Sequence, residues 1–136
     1  MPRPIDRIHI EFIPHRDQRY DTVGDWQIFP DNGITELVIS VSRMPGNPLF
    51  EQAVALHELT EALLCDAAGI SQKVVDAWDM EVAADSLDPG TEPGCPYAEQ
   101  HAIALLVEQK FLNEAGIDWD TYNDYLDLVF KDSQKG

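Results

Sequence analysis

The most chemically distinctive part of this sequence is the apolar segment 53–65, in which His57, Glu58 and Glu61 stand among alanines, leucines and a cysteine. A helix built from this segment is apolar on nearly every side and is therefore expected to be buried. Three buried ionisable groups are costly unless partners or a metal ion compensate them. His57 and Glu61 are four residues apart, so they share one helix face and can bind the same ion.

The spacing is that of the zinc-binding helix motif His-Glu-x-x-His, with Glu61 in place of the second histidine. In that motif the first and last residues bind zinc, and the glutamate between them acts as a general base. A carboxylate is also an acceptable zinc ligand. The spacing therefore predicts His57 and Glu61 as metal ligands and Glu58 as the catalytic base.

A third ligand is expected from His101, which lies in a second apolar helical segment. Two histidines and one carboxylate form a ligand set of catalytic zinc sites that keep a position open for water. Glu108 follows seven residues later on almost the same helix face. It is expected either as a fourth ligand or as an acceptor that orients His101 through its other ring nitrogen. Zn²⁺ is the favoured ion, and Mn²⁺ and Fe²⁺ suit the same donors.

Two alternatives do not involve a metal. The histidines can be ordinary core residues whose hydrogen bonds are satisfied within the protein. Glu58 can instead pair with an arginine, because four arginines lie on or beside the strands expected to cover its helix: Arg7, Arg16, Arg19 and Arg43.

The elements that must position these residues differ between the two parts of the chain. Apolar and polar residues alternate at 7–13 and 35–42, and a shorter strand is expected at 25–29, followed by the turn sequence Pro-Asp-Asn-Gly. This pattern predicts a three-stranded, mainly antiparallel sheet in region 1–46. From Asn47 onward the period becomes helical.

Four helices are expected in region 47–132, which carries the predicted metal site. Capping residues and glycine or proline breaks place them at about 48–68, 72–87, 96–116 and from Asp118 to 132, with a frayed tail at 133–136. Strands followed by helices predict one α+β domain over 1–136. The sequence leaves open whether Cys65 and Cys95 form a disulfide bond.

Charge and hydropathy exclude some functions. The chain of 136 residues has a formal net charge of −16, which repels phosphate backbones and argues against direct nucleic-acid binding. No apolar run approaches the ~20 residues of a membrane span, and the chain begins without the apolar segment of a secretion signal. These observations predict a cytoplasmic protein that does not bind membranes.

The negative charge is concentrated in the second part of the chain. Residues 1–43 carry a net charge of −2 and residues 44–136 carry −14. Four acidic residues of the second expected helix are predicted to form a solvated face: Asp76, Asp79, Glu81 and Asp85. Such a face is a candidate surface for binding a basic partner protein.

Three elements also carry a resemblance to a known family. They are residues 57–61, the pair Pro96-Tyr97 with His101 four residues later, and the stretch 116–119 before a tyrosine. These elements resemble small phage- and prophage-type proteins, which are similar in outline to minimal zincin-type metallopeptidases with a short sheet packed on the motif helix. The resemblance implies a zincin-like fold, His57 as a metal ligand and Glu58 as the base. Glu61 departs from the peptidase pattern.

Two functions follow as expectations. The first is a metal-dependent, peptidase-like hydrolase that acts on a peptide or protein substrate, with Glu58 removing the proton of the attacking water. The second is a non-catalytic acidic protein of the phage type that binds and inhibits a basic host protein, with a structural metal or none. The first explains the charges inside the first helix, and the second explains the acidity of 44–136.

Overall fold

The computed structural model describes residues 4–31, 33–86 and 88–135. It confirms the α+β class, with one three-stranded sheet and four helices. The strands are β1 (Arg7–Ile13), β2 (Gly24–Asp31) and β3 (Ile34–Ser42). The helices are α1 (Pro48–Ala67), α2 (Gln72–Ala77), α3 (Ala98–Glu114) and α4 (Trp119–Lys135).

The sheet is mixed and not mainly antiparallel as predicted. Its order is β1-β3-β2, with β2 antiparallel to β3 and β1 parallel to β3. A tight turn joins β2 to β3, and Gly33 in this turn has a φ of 81°. Asn32, the other residue of the expected turn, lies outside the described residues. Along the chain β2 lies between β1 and β3. A period of two carries no information about strand direction.

The core lies between the central strand β3 and helix α1. Leu37, Ile39 and Val41 alternate along β3 and are fully buried, and Trp26 of β2 is buried beside them. Pro48 begins α1, whose preceding residue Asn47 makes no side-chain capping bond. Because α1 packs against both the sheet and α3, its residues Glu51, His57 and Glu61 are buried.

The second helix is much shorter than predicted. Ser71 caps it as expected, but α2 ends at Ala77 and continues as a π-helical turn, Trp78–Val82, instead of reaching residue 87. The indole Nε1 of Trp78 donates a 2.8 Å hydrogen bond to the carbonyl of Pro89, which ties the π turn to the loop before α3. Leu87 lies outside the described residues.

The last two helices are close to their expected positions. α3 begins at Ala98, two residues after Pro96, and the Asp118 carboxylate accepts a hydrogen bond from the Thr121 N–H at the start of α4. α4 continues to Lys135, beyond the expected end at residue 132, and Gly136 lies outside the described residues.

Two further questions left by the sequence concern the cysteines and membrane insertion. Cys65 and Cys95 are both free thiols in the structure. Among the described helices, none combines the length and the apolar composition that crossing a membrane requires.

The fold predicts that the central strand dominates stability. Leu37→Ala should reduce the free energy of unfolding by about 2–5 kcal/mol, because it removes a fully buried side chain and leaves a cavity. Ile8→Ala on β1, where the side chain is 47% exposed, should cost far less. Urea unfolding of both variants measures the difference. Equal losses would contradict this position of the core.

Candidate metal centre

Three of the predicted metal-binding residues meet between α1 and α3. Glu61 Oε2 lies 3.3 Å from His57 Nε2 and 2.9 Å from His101 Nδ1. One ligand atom from each of the three side chains lies within 4.8 Å of the others, and all three side chains are buried. The arrangement arises because His57 and Glu61 share a face of α1 and α3 packs against that face.

A second carboxylate contacts the other nitrogen of each imidazole. His57 Nδ1 lies 2.7 Å from Glu108 Oε1, and His101 Nε2 lies 3.1 Å from Asp88 Oδ1 without the alignment of a hydrogen bond. Glu108 also accepts a short hydrogen bond from the Tyr122 hydroxyl. In metal sites, such outer carboxylates fix the ring and favour the lone pair on the nitrogen that faces the ion.

Glu108 therefore does not contact the histidine that the sequence suggested. The contacts Glu61–His101 and His57–Glu108 show that α1 and α3 run in opposite directions. Glu108, late in α3, therefore lies next to His57, whereas His101, early in α3, lies next to Glu61. Glu108 supports His57, and Asp88 from the preceding loop takes the place next to His101.

Glu61 makes hydrogen bonds with three residues, more than any other carboxylate that contacts the two histidines. Its Oε2 faces both histidines, and its Oε1 accepts a 3.2 Å hydrogen bond from the indole Nε1 of Trp26 on β2. Burial alone would raise the pKa of Glu61, but the hydrogen bonds from His101 and His57 outweigh it and lower the pKa to about 2.

The two imidazoles are stabilised in their charged forms. Burial lowers the pKa of His57, but the hydrogen bonds with Glu108 and Glu61 raise it well above its ordinary value. For His101, burial is likewise outweighed by Asp88 and Glu61, and the pKa rises to about 9.

Glu58, the predicted base, is placed differently. Its side chain is only 12% exposed, and its Oε2 lies 3.8 Å from His57 Nε2. Burial and the nearby charge of Glu61 raise the pKa of Glu58 well above its usual value. Gly24 of β2 packs so closely that a Cβ there would lie 2.7 Å from Glu58 Cγ. The carboxylate accepts no hydrogen bond within the described part of the chain.

The arginine pairing considered for Glu58 does not occur among the described residues. Arg7 pairs with Glu36, and Arg43 pairs with the buried Glu51. Arg19 bridges Asp25 and Asp76 instead.

The predicted solvated face on the second helix is divided by the π turn. Asp76 is half-buried and accepts hydrogen bonds from Arg19. Asp79 is half-buried as well and accepts from the hydroxyls of Tyr20, at 3.0 Å, and Tyr97. Glu81 and Asp85 are exposed. Only these last two residues fit the expected partner-binding surface, because Asp76 and Asp79 accept hydrogen bonds within the protein.

Several residues of the site were not singled out from the sequence. Asp88 and Gly90 lie in a loop recognised only as a helix break, and a Cβ at Gly90 would lie 2.3 Å from the His101 ring. Trp26 and Tyr122 each donate a hydrogen bond to a buried glutamate. Their only sequence signal is that a buried Trp or Tyr needs an acceptor.

A cavity of about 320 Å³ adjoins these residues. Its lining includes Glu58, Glu61, His57 and His101, together with the start of β2 and the loop at 88–90. The site is therefore accessible to a small ligand or to one segment of a larger one.

Comparisons of the chain with protein-family models, with curated proteins and with solved structures found no match.

Gly90 packs so closely on His101 that the structure leaves no room for a larger side chain at position 90. Gly90→Ala should destabilise the protein by about 1–3 kcal/mol, because the new methyl group forces the ring or the loop to move. Thermal unfolding followed by circular dichroism measures the loss. Pro93→Ala, an exposed change in the same loop, is the control and should leave the melting temperature nearly unchanged. A parent-like Gly90→Ala would contradict this packing.

The buried position of Asp79 predicts a pH effect. Burial raises the pKa of Asp79 from 3.8 to about 6 although Tyr97 and Tyr20 donate to it, and the charges of Glu61 and Asp25 act in the same direction as burial. Because the folded state holds this proton more tightly than the unfolded chain, the contribution of Asp79 to stability is full below pH 3.8 and is lost as the pH rises to about 6.

Asp79→Asn should therefore gain stability relative to the parent as the pH increases from 4 to 6. Urea unfolding at several pH values measures the difference between the two proteins. Asp85→Asn, which changes an exposed carboxylate, should show no such trend. A difference between Asp79→Asn and the parent that does not change with pH would refute the assignment.

Proposed function

We propose that this chain is a metal-dependent, peptidase-like hydrolase in which His57, Glu61 and His101 bind a divalent ion, with Zn²⁺ as the favoured metal. The observation that carries the proposal is the pair of imidazoles that face one carboxylate and are each supported from behind by a second carboxylate. Metal-binding histidines regularly have such a contact at the ring nitrogen that faces away from the ion.

The donor set fits a tetrahedral ion. Zinc bonds of about 2.1 Å place two neighbouring ligand atoms about 3.4 Å apart. The Glu61 oxygen lies 3.3 Å and 2.9 Å from the two ring nitrogens, which is close to this separation, and all three ligand atoms lie within 4.8 Å of one another. A divalent ion also carries the same charge as the two protons that it would displace from these nitrogens. Mn²⁺ and Fe²⁺ remain alternatives with the same donors.

A bound ion would polarise a substrate carbonyl and lower the pKa of water. Glu58 is the residue proposed to take the proton of the attacking water, because its carboxylate lines the cavity next to His57 and has no donor of its own within the described residues. Glu108 and Asp88 would hold the two imidazoles in place during the reaction.

An extended peptide is the proposed substrate. β2 is an edge strand, and its first residues, Gly24, Asp25 and Trp26, line the cavity. An edge strand can hydrogen-bond an extended segment along its backbone. The zincin-like character of the fold stays a prediction of the same kind, supported by a short sheet packed on the helix that carries the motif. The cytoplasmic location is a prediction as well.

The second candidate is a non-catalytic acidic protein that inhibits a basic host protein. The observation that favours it is the net charge of −16. Glu81 and Asp85 would belong to its binding surface, whereas Asp76 and Asp79 are engaged within the protein.

A pair of matched substitutions separates the roles of the two glutamates. Glu58→Gln should keep the metal, because the three ligands are intact, and should reduce hydrolysis by about 10²–10⁴-fold. Glu61→Gln should lower the metal content itself, since a neutral amide is a poor ligand. Elemental analysis of protein purified without chelators, and assays with a peptide library, give the two measurements.

Glu81→Gln is the control, because it removes an exposed carboxylate and should change neither quantity. Metal loss in Glu61→Gln without any hydrolysis by the parent would favour the inhibitor with a structural ion. A parent protein that contains no metal would overturn the proposal.

A further inference from the structure

The cavity beside the proposed metal centre is strongly acidic. Eight carboxylate residues and two histidines line it, and none of its described lining residues is a lysine or an arginine. Some of this charge is compensated: Glu61, Glu108 and Asp88 contact the histidines, and Asp25 pairs with Arg19. A divalent ion would neutralise only part of the remainder. An anionic substrate would be repelled from this cavity, and a cationic one attracted.

Asp79 is a half-buried carboxylate in the wall of the cavity. Its two oxygens accept hydrogen bonds from the hydroxyls of Tyr20 and Tyr97, which are neutral donors. Among the described residues no basic side chain pairs with Asp79. Each carboxylate oxygen has a second lone pair, so Asp79 can accept further hydrogen bonds from a ligand in the cavity.

The surroundings of Asp79 suit a long cationic side chain. Tyr20 and Tyr97 both line the cavity and offer aromatic surface for the apolar stem of such a side chain and for its charge. The Tyr20 ring already lies near a guanidinium, since Arg19 Cζ is 5.9 Å from its centre. Tyr97 also links this position to the metal centre, because its ring centre is 6.2 Å from that of His101.

We propose that Asp79, flanked by Tyr20 and Tyr97, selects a lysine or arginine side chain of a peptide that binds in the cavity. The proposal rests on the proposed function, because it takes the bound peptide to be the substrate. The subsite differs from the reacting groups, because Asp79 contacts none of the three metal-binding side chains. It makes the acidity of the cavity a determinant of specificity.

The test uses two blocked hexapeptides that differ at one position, lysine against norleucine, which has a similar stem without the charge. Their association constants with the parent protein are measured by isothermal titration at pH 8, and mass spectrometry checks whether each peptide stays intact. If a peptide is cleaved, the ratio of kcat/KM values replaces the ratio of association constants. A charge-assisted contact predicts a preference for lysine of about 10–100-fold.

Asp79→Asn should reduce this preference to near unity, because the amide keeps the size of the side chain and loses its charge. Asp85→Asn is the matched control: the same chemical change on an exposed residue outside the cavity lining should keep the preference. Higher ionic strength should weaken the preference in the parent and have little effect in Asp79→Asn. Circular dichroism confirms that both variants are folded.

The outcomes distinguish this proposal from the proposed function. Equal binding of the two peptides by the parent, or an unchanged preference in Asp79→Asn, would overturn the subsite even if the protein contains metal and cleaves neutral peptides. An Asp79-dependent preference for lysine in a protein without metal or activity would support the subsite as a binding site and would refute the hydrolase.

Discussion

One buried carboxylate, that of Glu61, holds together the elements around the site. It accepts hydrogen bonds from Trp26 of β2, from His57 one turn earlier on α1 and from His101 of α3. The sheet and two helices therefore share a polar centre within a largely apolar core. A buried carboxylate without these donors would be strongly destabilising, so the donors and Glu61 require one another. The same constraint makes the site suitable for a cation, because Glu61, His57 and His101 already face one another.

The carboxylates that contact the two histidines, Glu108 and Asp88, connect the site to further parts of the chain. Glu108 connects His57 to Tyr122 of α4, and Asp88 brings the loop before α3 to His101. The loop is held in turn by the bond from Trp78 to Pro89. A site built in this way has little freedom to adjust its side chains independently, which favours a fixed coordination geometry over adaptable binding.

The sequence was informative wherever a regular period fixed the geometry. A helix places His57 and Glu61, four residues apart, on one face, and His101 stands out because it interrupts another apolar helix; the structure brings the three side chains together. The relative directions of neighbouring strands and helices have no such periodic signal in the sequence. Alternation is the same for either strand direction, so the parallel pairing of β1 was missed. The partner of Glu108 depends on the opposite directions of α1 and α3, and Asp88 lies in a loop without any period.

The π turn at Trp78–Val82 contains Asp79, which contacts Tyr20 and Tyr97, and this irregular turn has a consequence for sequence length. A π turn accommodates one residue more than an α-helical turn, and each residue of an α-helix advances the chain by about 100°. Loss of a single residue before Asp79, such as Trp78, would rotate Asp79 by about 100° relative to α2 and away from Tyr20 and Tyr97. The acidic wall of the cavity thus depends on an exact residue count, so an insertion or deletion in this short segment is a more severe change than most substitutions within it.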